Sequence, residues 1–180
     1  MVKRLAEKNI FKTKLFTVKD IDIEFSSEKK VTYQIVEKKD TAMLVPIDSE
    51  GNVYFIREYF YAIDEFQLGL PKGRIDEGYD ALTTANKELQ EEIGMKAGKL
   101  DFLGKYSSAP GYYTQKTNIY LARDLSEGKL EGDEEEPLEI VKHPFEKFEE
   151  LIESKQLTEA RMIAALYLAR SFLEKESIRK

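Results

Sequence analysis

The stretch from Leu68 to Met95 constrains this chain more than any other. Gly69, Pro71, Gly73 and Gly78 punctuate its first half, LGLPKGRIDEG, which is too irregular for a regular element but suits a shaped loop. A helix is expected to follow. Asp80 is a suitable N-cap, Ala81, Ala85 and Leu89 repeat at four-residue spacing, and Gly94 is a stop signal after Ile93. Such a helix turns one face to a core and leaves the other to its acidic residues.

The flanking segments supply strands. AMLVPI at 42–47 and NVYFIREY at 52–59 are apolar runs joined by the turn-rich DSEG, and read as core strands. Upstream, Ile21, Ile23 and Phe25 alternate with Asp20, Asp22 and Glu24, and Val31, Tyr33 and Ile35 repeat the two-residue period. Residues 10–38 are therefore expected to form two or three antiparallel strands, and residues 1–40 a small N-terminal β unit preceding a main domain over 41–180. Downstream, KLDFLGKY, KTNIYLARDL and LEIV read as strands. The chain closes with a short helix near Pro144–Glu153 and a longer one from Thr158 to about Glu174, in which Met162, Ile163, Leu166, Leu168 and Phe172 are apolar.

Composition narrows the chemistry. The 180 residues, 42 % of them hydrophobic, can bury one ordinary core. There is no cysteine and one histidine, His143, so thiolate or multi-histidine metal centres are excluded and any metal must be held mainly by oxygen. His143 is expected to be structural. A net charge of −6 disfavours nucleic acid as a partner. No apolar signal core and no window of membrane-spanning length is present, so a soluble, cytoplasmic protein without membrane partners is expected.

Glu88, Glu91 and Glu92 stand at i, i+3 and i+4, so a helix carries them on one side. Their mutual repulsion is reversed by a dication, and carboxylate oxygens are natural ligands of Mg²⁺ or Mn²⁺. On its own, an acidic helix face is more often solvated surface. The glycine-rich approach changes that reading.

Gly73, Glu88, Leu89, Glu91, Glu92, Gly94 and Met95 fall in the register of the Nudix box: Gly, five residues, Glu, seven residues, Arg-Glu-aliphatic-any-Glu-Glu-any-Gly-aliphatic. The chain departs from the box at Tyr79, where the family has Glu, and at Lys87, where it has Arg. A lysine cannot reproduce a bidentate guanidinium contact, so both ends of one supporting ion pair are read as having changed together. Arg57-Glu58-Tyr59, the approach from Glu65 to Gly73, the SAPGYY loop, the LEGDEEEP loop and the TEAR-initiated helix further resemble the ADP compounds hydrolases, relatives of the ADP-ribose pyrophosphatases.

The resemblance implies an α/β fold, an α/β/α sandwich with a mixed sheet, plus the small N-terminal β unit, which in relatives forms homodimers. It implies Mg²⁺-dependent cleavage, with Mn²⁺ as an alternative ion, of the pyrophosphate linkage in small ADP-containing nucleotides such as ADP-ribose, diadenosine polyphosphates or NADH, with release of AMP. Glu88, Glu91 and Glu92 match metal ligands, joined by the backbone carbonyl of Lys72. A loop acid is expected as general base, Glu136 ahead of Glu134, with Glu92 alongside as a catalytic group. Tyr112 and Tyr113 could stack on a base, Arg57 could contact phosphate or pair with Glu58 or Glu65, and Glu65 lies in the same approach. The rival reading is a Nudix-like binding or sensor protein with weakened turnover, motivated by Tyr79 and Lys87.

Overall fold

The computed structural model describes residues 1–132 and 138–179. The chain divides into two units, one of residues 1–40 with 106–117, the other of 41–105 with 118–180. The first unit therefore draws in a later segment that the sequence reading assigned to the main domain.

The first unit is a three-stranded antiparallel sheet in the order β1-β2-β3, with β1 at Lys3–Lys12, β2 at Thr17–Glu24 and β3 at Lys30–Glu37. β1 begins earlier than the alternating pattern suggested, because KRLAEKNIFK carries no clean two-residue period and is exposed throughout. On the central strand, Ile21 is buried, and the Lys19 ammonium bridges Glu37 at 2.7 Å and Glu7 at 3.2 Å on either side. Residues 106–117 attach through Val36, whose N–H donates to the Tyr112 carbonyl (2.7 Å) and whose carbonyl accepts from Thr114 N–H (3.0 Å).

The second unit is the α/β body. β4 (Thr41–Pro46), β5 (Asn52–Phe60), β6 (Glu65–Gly69), β7 (Lys72–Arg74) and β10 (Glu139–Pro144) join β8 (Met95–Ser107) and β9 (Lys116–Glu127), two strands whose outer ends belong to the first unit. They form one sheet ordered β7-β4-β9-β8 and another ordered β10-β5-β6. The helices are α1 (Ala81–Ile93), α2 (Phe148–Glu153, entered through a 3-10 turn at Phe145–Lys147) and α3 (Ala160–Ile178).

Two cores share the central strands by alternation. Met43, Val45, Val53, Phe55, Ile119 and Leu121 pack with Phe148 and Leu151 of α2 and with Met162, Ala165 and Leu166 of α3. Their sequence neighbours Ala42, Leu44, Tyr54, Ile56, Tyr120 and Ala122 pack with Ala85, Leu89 and Ile93 of α1. Strands covered on both faces need apolar residues at successive positions, which is why AMLVPI and NVYF read as continuous runs. The expected α/β/α layering follows from this alternation.

A further expectation is corrected. The Leu68–Gly78 segment is not featureless: β6 reaches Gly69 and β7 occupies Lys72–Arg74, paired antiparallel with β4 through Thr41↔Arg74, Ala42↔Gly73 and Met43↔Lys72. Glycine and proline concealed these short strands. Pro71 lies in the break between them, where its carbonyl accepts from Leu44 N–H (2.9 Å), and a side chain on Gly69 would meet the Glu58 carboxylate at 2.5 Å.

Candidate active site

The acidic helix is fixed at both ends. The Asp80 carboxylate accepts from Thr83 N–H (2.7 Å), and this bond holds its pKa below the ordinary value. At the other end Gly94 takes a left-handed conformation, φ 69°, and its N–H returns to the Gln90 and Leu89 carbonyls. With Ala85, Leu89 and Ile93 committed to the core, the helix has one possible rotation, and that rotation directs Glu88 and Glu92, one turn apart, toward β7.

At β7 the backbone meets them. The N–H of Lys72 donates to Glu92 Oε2 at 2.9 Å, and the Glu88 carboxylate occupies the space that a Cβ on Gly73 would fill. Glycine is thus required here by close approach and not by backbone angle. From β5, in the other sheet, Glu58 forms an ion pair with the Lys72 ammonium, which also lies 5.5 Å from the centre of the Phe60 ring. Three carboxylates, Glu58, Glu88 and Glu92, therefore surround Lys72–Gly73.

This crowding acts on Glu92. Burial pushes its carboxyl well above the usual range, the Lys72 ammonium and N–H pull it back, and the charges of Glu88 and Glu58 push it further up. A cation brought against Glu92 would reverse the unfavourable balance. The donor set fits a hard cation, being oxygen throughout, half-buried, and shaped by a glycine that admits one carboxylate. Among the described residues no three carboxylate or imidazole groups are already gathered as a complete cage. A cation here would thus take Glu88 and Glu92 and complete its shell from backbone, water or substrate, as Mg²⁺ characteristically does.

Glu91 behaves differently from its neighbours. Its side chain, 11 % exposed, pairs with Lys87 Nζ at 2.8 Å along the same helix. The expected convergence of three glutamates is therefore realised by Glu88 and Glu92, with Glu91 beside them. Lys87 serves this pair, and Tyr79 is 56 % exposed.

The remaining expected residues are more scattered. Arg57 pairs with neither Glu58 nor Glu65 but with Glu139 of β10, Nε to Oε2 at 3.1 Å. Glu65, at the exposed start of β6, accepts from Gln67 Nε2 at 2.9 Å. Tyr112 and Tyr113 belong to the first unit with ring centres 6.5 Å apart, and Tyr113 Oη donates to Gln115 Oε1 at 3.1 Å. Glu134 and Glu136 lie outside the described residues. His143 is bonded through Nε2 to the Lys147 carbonyl at 2.9 Å and so braces the 3-10 turn.

Sequence reasoning missed Glu58, weighing it only as a partner for Arg57. Alternation along β5 contains the signal: Tyr54 and Ile56 face α1, and position 58 continues that face.

Comparison with known proteins agrees with this geometry. The NUDIX domain family matches residues 37–166. The chain is 40 % identical over 167 residues to the ADP compounds hydrolase NudE of Escherichia coli (strain K12), covering 92 % of this chain and 89 % of that one. It is 28 % identical over 172 residues to the ADP-ribose pyrophosphatase of Bacillus subtilis (strain 168), covering 92 % and 93 %. The crystal structure of an ADP compounds hydrolase superposes with a TM-score of 0.88 at 38 % identity, covering 97 % of this chain and 95 % of the other. A family match over most of the chain, a 40 % identical relative and a carboxylate pair seated on the box glycine give one conclusion: the chain belongs to the Nudix family.

Proposed function

We propose that this protein hydrolyses the pyrophosphate linkage of ADP-containing nucleotides, such as ADP-ribose, diadenosine polyphosphates or NADH, and releases AMP in a Mg²⁺-dependent reaction. The observation that carries the reading is the seating of Glu88 and Glu92 against Lys72–Gly73, within a chain whose relatives are named for ADP compounds and ADP-ribose.

Nudix hydrolases depend in general on divalent metal. When bound, such a metal neutralises phosphate charge and lowers the pKa of water. Glu88 and Glu92 would hold it, with Glu91 and the Lys72 carbonyl as further donors, and Mn²⁺ as an alternative ion. The chain's own contribution is to fix these groups on a capped helix and a paired strand, so that little reorganisation is needed when substrate arrives. On the family resemblance, an acid among residues 133–136 accepts the water proton, Glu136 ahead of Glu134. Arg57, Glu65, Tyr112 and Tyr113 are assigned to substrate, and the N-terminal unit to a homodimer.

A second reading, nucleotide binding with weakened turnover, is favoured by one observation: Lys87 engages Glu91, an expected ligand, within the helix. One assay separates the two. Purified protein is incubated with ADP-ribose, diadenosine triphosphate and NADH, each with Mg²⁺, with Mn²⁺ and with chelator, and AMP is measured. Metal-dependent AMP is expected. Tight nucleotide binding without AMP from any of them establishes the second reading instead.

A further inference from the structure

A positive group built into this site is the Lys72 side chain, whose base is fixed. β7 is paired to β4, so the Lys72 backbone is held while its N–H serves Glu92, and only the four-carbon stem can move. Its side chain is part-buried, 20 % exposed, and its ammonium is ion-paired with Glu58, whose side chain is 24 % exposed, and lies near the face of Phe60. Glu88 sits against the very next residue, Gly73. An ammonium in this position supplies the charge that a divalent cation would otherwise supply to the same three carboxylates.

We propose that Lys72 is the resident counter-cation of the Glu58, Glu88 and Glu92 cluster, that it competes with the divalent metal, and that it thereby sets the metal concentration at which the site fills. The inference rests on the metal reading above. Without metal, the ammonium relieves repulsion among the carboxylates and stabilises the fold. With metal at Glu88 and Glu92, an ammonium that stays on Glu58 is a like charge beside the metal and weakens its binding, and one that swings away gives up its ion pair with Glu58, which costs metal affinity as well.

The test measures metal binding and not turnover. Mn²⁺ isotherms are recorded on substrate-free protein, with free Mn²⁺ followed by electron paramagnetic resonance, for the native chain, Lys72→Met, Lys72→Arg and Glu92→Gln. Lys72→Met keeps the stem and removes the charge, and should bind Mn²⁺ at least about tenfold more tightly, whereas Lys72→Arg should stay within about threefold of native. In chelator Lys72→Met should melt below the native protein and recover more on adding Mn²⁺. A folded Lys72→Met with native or weaker Mn²⁺ affinity overturns the proposal. If it also raises KM, Lys72 is a substrate-phosphate contact instead.

Should Lys72→Met fail to fold in chelator, the native protein decides. The ¹⁵N resonance of the Lys72 ammonium, assigned by its absence from Lys72→Arg, should shift as Mg²⁺ is added, and an unmoved resonance at saturating Mg²⁺ overturns the idea. Failure of the underlying reading looks different: the native chain would bind no Mn²⁺, or Glu92→Gln would bind it equally well, and both inferences would fall together.

Discussion

The substitution Glu92→Gln tests the site with almost no change of volume. The amide oxygen introduced at position 92 can still accept the Lys72 N–H, so the structural cost is the difference between a charge-assisted and a neutral hydrogen bond, about 1 kcal/mol. Removal of a half-buried charge repelled by Glu88 and Glu58 acts in the opposite direction. The pH dependence gives the sign. Because the folded, metal-free protein holds the Glu92 proton above the ordinary carboxylate value of 4.5, it binds more protons than the unfolded chain in the window above that value. Stability therefore falls as pH rises from the unfolded pKa through the folded one, and the penalty persists at neutral pH.

The variant should lose this fall. In chelator at pH 7 it should melt at or above the native temperature, and its stability should be flatter between pH 4.5 and neutrality. Metal reverses the order. A ligand at a hundred times its Kd stabilises by about 2.7 kcal/mol, which for a chain of this length raises Tm by roughly 5–10 °C. The native protein should show that rise in Mg²⁺ and the variant little of it, while turnover drops by at least about two orders of magnitude. Calorimetry in chelator and in Mg²⁺ at several pH values, with AMP release in parallel, makes the comparison. A variant that turns over near the native rate, or gains as much from Mg²⁺, would refute the assignment of Glu92.

Two further outcomes follow from the helix and its seat. Gly73→Ala places a methyl group in the space of the Glu88 carboxylate, so metal-dependent turnover should fall at least about tenfold while circular dichroism stays native; unchanged turnover would show that Glu88 can relocate freely. Asp80→Ala removes the N-cap bond to Thr83 and should lower Tm by about 2–4 °C in a thermal melt, with the active-site residues intact; an unmoved Tm would show that the cap contributes nothing.

Much of this was legible in the sequence where independent local signals agreed. The acidic helix could be placed near Asp80 at its start and at about Ile93 at its end, because a capping aspartate, a four-residue apolar repeat and a terminal glycine agree. β6 and β7 were hidden, because Gly69, Pro71 and Gly73 are present for close approach of Glu58 and Glu88 and for the turn between strands, and such glycines resemble a loop in one dimension. Convergence of Glu88 and Glu92 followed from helical spacing, but the diversion of Glu91 to Lys87 depends on side-chain pairing that spacing does not reveal. Glu58 enters from a strand many residues away, and its role emerges only once β5 is laid beside β6 and Lys72.

The long first strand has a consequence of its own. β1 stands at the edge of its sheet, so one side of a ten-residue ladder presents backbone donors and acceptors to whatever approaches. Lys3, Arg4, Lys8 and Lys12 outnumber the single acid Glu7 along it, giving this edge a positive charge on a chain that is negative as a whole. Two such edges repel when brought together in most registers, which guards against indiscriminate fibrous stacking. A strand rich in carboxylates meets no such barrier, so the edge discriminates between neighbours by charge before any side chain packs.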